Sequence, residues 1–329
     1  MLDKSKDFLL AIVFVLIVPS ILFSILIPQQ STQVAAPTFI ETHSVIQTDA
    51  VDTWTVRLLK DNNNIVVLPL EEYVLGVVLK EMPADFGVEA LKAQAVAVRT
   101  YTLRRCMQSY KHNNADVCSD PSCCQAYLTE EAYILNGGSV EKLNYIREAV
   151  AATNNVVLLY NGQLIESTYF SSSGGMTEDA VAVWGSNVPY LQATVSPGEE
   201  KSTHHITTEF IEITDFAEAL CLPESDIKEP YIQDIHYTDG GGIESAIICG
   251  KEFTGLELRK LLNLKSTAIL LTPTGNGITI TTKGYGHRVG LSQYGANAMA
   301  EAGKKYTDIL LHYYNGVTIG HLDDIPQLK

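Results

Sequence analysis

Positive charge is in short supply along this sequence. Twenty-three Lys and Arg face 38 Asp and Glu, a formal net charge of −15, the reverse of the basic footprint that nucleic-acid binders carry. The same deficit removes long-range attraction to an anionic polymer, so any such binding must be local and shape-driven. Cysteine is scarce too. Six in 329 residues cannot staple a chain of this length, and four of them lie between Cys106 and Cys124, which points to local chemistry. The glycine-rich block Gly284 to Ala296 has neither the Walker lysine nor dinucleotide spacing, and no H-E-x-x-H pair is present, which argues against a phosphate cradle and a zincin.

What the sequence does have begins with Phe8 to Ile27, a run without a charge that follows Lys4 and Lys6. About 20 apolar residues match a hydrocarbon core near 30 Å, and Pro19 is tolerable in lipid. The lysines, diluted by Asp3 and Asp7, favour a cytoplasmic N-terminus at 1–7, a transmembrane helix at 8–27 and a body outside the cell membrane. A cleavable signal ending near Val34-Ala35-Ala36 is the alternative. A polar tether at 28–53 then leads to a domain at 54–320, possibly of two lobes, and a tail at 321–329.

The centre of the chain is LEEYVLGVVLKEMPADFGVEALKAQAVAVRTY, Leu70 to Tyr101. Apolar residues at helical spacing predict a helix from Leu70 that stops before Pro83. A second helix follows Gly87 and runs to about Met107, with a face of small alanines. Glu81 then falls in the last turn of the first helix, the wrong end of the macrodipole for an anion. Apolar neighbours there would raise its pKa and favour the protonated acid. A solvated end-of-helix glutamate is the plainer reading.

Around this pair, Trp54–Leu58 and Ile65–Leu68 read as strands, Glu141–Thr153 as a helix, and Val156–Tyr160 with Gln163–Phe170 as a hairpin about Asn161-Gly162. Ile206–Ile213, Ile232–Tyr237, the segment up to Ile248 and Ile278–Lys283 look extended. Asp215–Leu220, Thr254–Leu262, Gln293–Gly303 and Ile309–Tyr313 look helical, with Thr254 and Glu257 placed for a capping box. The fold class is α+β, with a cleft between a helix pair and glycine-rich strand-end loops.

Lys111 to Gln125 (KHNNADVCSDPSCCQ) is a loop in which His112, Cys118, Cys123 and Cys124 could close a tetrahedral Zn2+ site. A disulfide between two of the cysteines, with His112 incidental, is the other reading. Cys221 and Cys249 either pair or stay free. Ser171 to Gly175 offers hydroxyls and close backbone approach for a sugar, or is a plain surface loop. His287 alone reads equally as a buried, satisfied histidine. Tyr169 and Trp184 either stack on sugars or belong to the core.

Three blocks carry a resemblance. They are Glu81-Met82-Pro83 with Glu89–Tyr101, Tyr169–Gly175, and Gly284–Ala296, in that order. Together they resemble the stage II sporulation protein D family, membrane-anchored lytic transglycosylases of endospore formers. The resemblance implies that Glu81 is the catalytic acid and that Arg99 orients a substrate carboxylate or holds Glu81. It also implies that Ser172, Ser173, Gly174, His287, Ser292, Gln293 and Tyr294 belong to the substrate cleft. Some members carry zinc on a similar His/Cys loop, which implies a structural Zn2+ on His112, Cys118 and Cys124, with Cys123 where a fourth ligand would sit. The implied substrate is peptidoglycan glycan strands, cleaved at MurNAc-GlcNAc bonds with 1,6-anhydro ends. The implied setting is the mother-cell membrane during engulfment, with stage II sporulation proteins P and M as partners. A non-catalytic activator of an amidase is the competing reading.

Overall fold

The computed structural model describes residues 54–60, 64–108 and 111–325. The expected segments at 1–7, 8–27 and 28–53 lie outside the described residues. Among the described residues no helix is long and apolar enough to cross a membrane.

Strands β1 (Thr55–Leu59) and β2 (Ile65–Pro69) form an antiparallel pair that feeds directly into helix α1 (Leu70–Glu81). Pro69 supplies the N-cap position, and Glu71 and Glu72 sit in the first turn, where the positive helix end favours them. The helix ends at Glu81 because Pro83 pushes Met82 into extended backbone. Gly87 precedes α2 (Val88–Met107). This helix is buried almost all round, from Ala90 through Leu103. Its small residues let α1, α4 (Val140–Ala151), α8 (Gln293–Glu301), α9 (Tyr306–Tyr313) and strand β4 (Val156–Tyr160) pack against it. Strand β3 (Val117–Cys118) joins β1 in parallel, and α3 (Glu130–Leu135) packs on α1.

The hairpin at Asn161-Gly162 forms, but its return strand β5 stops after Gln163–Leu164. The expected strand to Phe170 is broken because the chain changes sheets. Ser167 turns inward to donate to the Ala97 carbonyl at 2.7 Å, and β6 (Tyr169–Phe170) pairs in parallel with β13 (Leu291–Ser292). The short helix α5 (Ala180–Trp184) follows, and β14 (Thr318–His321) closes the β4 sheet.

A second core lies within residues 206–283. Strand β7 (Ile206–Glu212) leads to helix α6 (Ile213–Ala219). Strands β8 (Ile232–Tyr237), β9 (Ile243–Ile248) and β10 (Lys251–Thr254) form one antiparallel sheet. Strands β11 (Ala268–Thr274) and β12 (Gly277–Lys283) form another with β7. Phe216, Ile248, Leu258 and Ile278 are buried between them. Helix α7 (Gly255–Leu261) starts at Thr254, and the capping box with Glu257 is formed. Cys221 and Cys249 remain free thiols, so the pairing left open in the sequence does not occur.

Candidate functional site

Parallel pairing of β6 with β13, extended by bridges Ser172–Tyr285 and Glu178–Val289, lays the Ser/Gly loop along the glycine-rich block. Gly284 is needed there. Its φ is +79°, and an added Cβ would meet the Ser172 carbonyl oxygen at 2.5 Å. Opposite this wall stands the α1–α2 corner. Between them lies a cavity of about 660 Å³, lined by Glu81, Tyr101, Arg105, the loop Pro121–Gln125, Glu166, Thr168–Ser171, Trp184, Tyr285–His287 and Gln293.

Glu81 is half-buried, and one carboxyl oxygen accepts from the Ala126 backbone N–H at 3.1 Å. Burial raises its pKa, against smaller lowering by Ala126, the Gln293 amide and Lys80. Gln293, the first residue of α8, is only 5% exposed, and its Nε2 lacks a hydrogen bond of good geometry. A buried amide without a partner costs stability unless something polar meets it. Tyr169 also lines the cavity. Its hydroxyl is 2.9 Å from Gln125 Nε2, and Gln125 Oε1 is held by Tyr73 and Thr102 at 3.2 and 3.0 Å. Burial first, and the nearby Glu81 charge second, lift the Tyr169 pKa, so it stays a neutral hydroxyl.

His287 sits between Phe170 and Trp184, ring centroids 5.6 and 5.4 Å away. Its Nδ1 accepts from Val289 N–H at 3.1 Å. Burial pushes its pKa down to about 4, so the imidazole is neutral at physiological pH.

Several expected site residues stand behind the cleft rather than in it. Arg99 is fully buried; it grips Glu71 with two bonds of 2.6 Å and donates to the Val156 carbonyl at 3.1 Å. It reaches neither Glu81 nor the cavity, because the preceding helix presents a carboxylate to it first. Ser172, Ser173 and Ser292 are also fully buried, and with the Gly174 N–H they all turn to one carboxylate, Glu199. Their hydroxyls are spent on the fold. Tyr294 packs edge-on against Phe86 at 5.0 Å and is absent from the cavity lining. Of the expected cleft residues, Glu81, His287 and Gln293 come together.

Sequence reasoning missed Glu199, Gln125, Arg105 and the pair Arg288–Glu178. Arg288 is buried at φ +66°. It donates to the carbonyls of Ser173 and Met176 at 3.0 and 2.9 Å and to that of Gly240, and lies 3.7 Å from Glu178. Glu178 in turn accepts from Thr238 and Gly242. This pair ties the second core's Gly240 turn to the cleft wall. Only the His-Arg-Val-Gly setting of Arg288 could have hinted at it.

The His112, Cys118, Cys123 and Cys124 donor atoms lie within 4.8 Å of one another. His112 Nε2 is 3.3 Å from the Cys124 sulfur and 3.7 Å from that of Cys123. Tetrahedral zinc with Zn–S near 2.3 Å and Zn–N near 2.1 Å separates its donors by roughly 3.5–3.8 Å, so the set fits the ion. Neighbouring Cys123 and Cys124 converge because both backbone N–H groups bond to the Asp120 carbonyl in one tight turn. All six cysteines are free, so no disulfide competes for these sulfurs. The next two residues are Gln125, which holds Tyr169, and Ala126, which holds Glu81.

Comparison with known proteins agrees in direction. Residues 60–160 match a family model described as Stage II sporulation protein. The stage II sporulation protein D of Bacillus amyloliquefaciens is 37% identical over 94% of this chain and 94% of its own. That of Bacillus subtilis (strain 168) is 40% identical, covering 80% of this chain and 77% of its own. An amidase enhancer of Bacillus subtilis is 32% identical over 74% of this chain but only 40% of its own length. On these matches the chain belongs to the stage II sporulation protein D family of sporulation proteins.

Proposed function

We propose that this protein is a lytic transglycosylase that cuts MurNAc-GlcNAc bonds in peptidoglycan strands. The observation that carries the reading is Glu81: a half-buried acid of raised pKa facing a sugar-sized cavity. As the acid, Glu81 gives its proton to the bridging oxygen as the C1–O bond breaks, releasing the GlcNAc hydroxyl. Its carboxylate then takes the proton of the same MurNAc residue's C6 hydroxyl, whose oxygen closes on C1. The acid is restored and no water is consumed. Tethering the nucleophile to the substrate gives it a high effective concentration, so a second carboxylate is unnecessary.

The other carboxylate lining the cavity, Glu166, supports that economy. One of its oxygens accepts from Arg104 Nε at 3.0 Å and the other from Arg105, which leaves it poorly placed as a base. Zinc, if bound, would supply no chemistry; His112 and the three cysteines would fix the loop that positions Gln125 and Ala126. The chain would act from the mother-cell membrane during engulfment, beside stage II sporulation proteins P and M.

Release of 1,6-anhydro ends by wild type and by Glu81→Gln, measured by mass spectrometry, tests the reading. Anhydro ends should vanish in the variant; equal release from both refutes it. The amidase-enhancer relative favours one alternative, a non-catalytic activator. In that case anhydro ends are absent throughout, and Glu81→Gln still accelerates an amidase.

A further inference from the structure

The cleft wall that leads into the second core does not stop at the cavity. Strand β12 pairs with β7 so that Ile206 stands opposite Lys283 and Phe210 opposite Thr279. The same register continues beyond both strands. Gly284 N–H donates to the His205 carbonyl at 3.1 Å, and His204 meets the ring of Tyr285 edge-on at 4.7 Å. Tyr285 lines the cavity and is 41% exposed. Gly174, from the Ser/Gly loop, packs so closely on Lys283 that a Cβ there would come within 2.7 Å of that side chain. The outer face of the β7–β12–β11 sheet therefore begins at the rim of the cleft.

Side chains alternate across a strand, so the register fixes which residues share this face. Down its middle, on β12, run Lys283, Thr281 and Thr279. Ile206 and Phe210 flank them on β7, and Leu270 on β11. These three flanking residues stay half exposed, whereas Leu271, Ile278 and Ile280 on the reverse face are buried. Phe210 folds over Gly277, where an added Cβ would lie 2.6 Å from its ring, so the ring is held against the sheet. The Thr208 and Thr281 hydroxyls lie 3.2 Å apart across the strip. Among the described residues no acidic side chain falls on this face between Lys283 and Thr279, in a chain that carries 38 acids.

From Lys283 to Thr279 the strip is about 14 Å long, and its three strands make it about 10 Å wide. Its occupant has to meet apolar groups and hydroxyls together along that length. A pyranose chain does so, resting its C–H faces on aromatic and aliphatic side chains and bonding its hydroxyls to threonines. A protein partner would instead bury the threonine hydroxyls beneath its own apolar core, at a cost in desolvation. The polymer assigned to the cavity is also longer than the cavity, and Tyr285 joins the cavity to this face in register.

We propose that the outer face of the β7–β12–β11 sheet is an accessory glycan track, outside the cleft, on which the strand lies after it passes Tyr285. The track rests on the functional reading above for the identity of the polymer.

The test is binding by the full-length chain carrying Glu81→Gln, so that no strand is cut. Chitotriose is the probe short enough for the cavity, and peptide-free glycan strands are the probe long enough to reach the face. Strands should bind tighter than chitotriose. Replacing Phe210 and Leu270 together by Ala should lower strand affinity roughly three- to tenfold, as loss of an aromatic platform implies, with chitotriose affinity unchanged. Thr208→Glu, which puts bulk and charge into the strip at an exposed position, should do the same and serves if the double variant fails to fold. The proposal is overturned if these variants leave strand affinity intact, the result expected of a face that docks a protein. It is also overturned if they weaken both probes equally, or if strands bind no tighter than chitotriose. Anhydro ends made by wild type, with strand binding indifferent to the face, sink the track alone. Face-dependent strand binding with no anhydro ends sinks only the catalytic reading.

Discussion

Replacing Glu199 by Gln tests what holds the cleft wall together. Its Oε2 accepts from the Ser172 hydroxyl at 2.7 Å and from the backbone N–H groups of Ser173 and Gly174 at 2.6 and 3.1 Å. Its Oε1 accepts only hydroxyls, those of Ser173, Ser196 and Ser292, at 2.7, 2.5 and 2.7 Å. Backbone donors cannot turn away, so the new amide nitrogen must take the Oε1 place. Its two N–H donors can serve two of the three hydroxyls there, and all three must send their own protons elsewhere. Ser196 has an outlet in the Tyr313 hydroxyl at 2.6 Å. Ser173 and Ser292 have none: Glu199 is the acceptor of their protons, and their remaining partners, the N–H groups of Gly175 and Gly295, can only donate. Two orphaned buried donors cost about 1–3 kcal/mol each, partly offset by removing a buried charge, for a net loss of about 3 kcal/mol. At about 2–4 °C per kcal/mol, the melting midpoint should fall by roughly 6–12 °C. Urea unfolding followed by near-UV circular dichroism gives the value, and a loss below about 0.5 kcal/mol would refute the clamp as an organising group.

Glu81→Gln should stabilise the protein at neutral pH. The folded carboxyl binds its proton more tightly than the unfolded one, so wild-type stability declines as pH rises from about 4.5 through the raised pKa. Melting midpoints against pH should show the variant ahead at pH 7–8 and the gap closing in acid; a constant gap is the failing result. Metal analysis of the purified chain should find about one zinc per molecule, and chelation or Cys124→Ser should lower both zinc content and melting midpoint, whereas an unchanged midpoint in metal-free protein removes the structural role. At Arg288, both Gly and Ala should destabilise strongly by stranding Glu178, but Gly less, by about 1 kcal/mol, because φ +66° suits it. Equal losses would show that the backbone there is unstrained.

The helix pair was legible because its signals are local: apolar spacing, Pro83 as a stop, Gly87 as a start. The Thr254–Glu257 box was legible for the same reason. Strand β11 was not; Pro273 within it reads against a strand, and it survives only because β11 is a sheet edge. The partners of polar groups were hidden more deeply. Serines in a glycine-rich loop look like sugar ligands, and nothing local reveals that Glu199, 26 residues beyond Ser173, draws their hydroxyls inward. In a chain with 38 acidic residues, that glutamate has no distinguishing neighbourhood. Arg99 was misplaced for a similar reason, since its Glu71 partner lies on another helix, 28 residues earlier. Cleft membership depends on which side chain a long-range partner claims first.

That competition explains why the acid is left free. Arg105 at the cavity is taken by Glu166, which also holds Arg104 outside it, and Arg99 is taken by Glu71. Of these, Arg105 lines the cavity with Glu81, and a free guanidinium beside a carboxyl would favour its ionised form. With Arg105 committed to Glu166, Glu81 keeps a backbone N–H, an amide and the charge of Lys80 against its desolvation. A carboxyl so placed holds its proton more readily than one beside an arginine, which is the state a proton donor requires. The N–H comes from Ala126, two residues after Cys124. Anything that lets the cysteine loop drift therefore removes the main group favouring the carboxylate. On this logic the loop sets the balance between the acid that gives a proton to the bridging oxygen and the base that must then reclaim one.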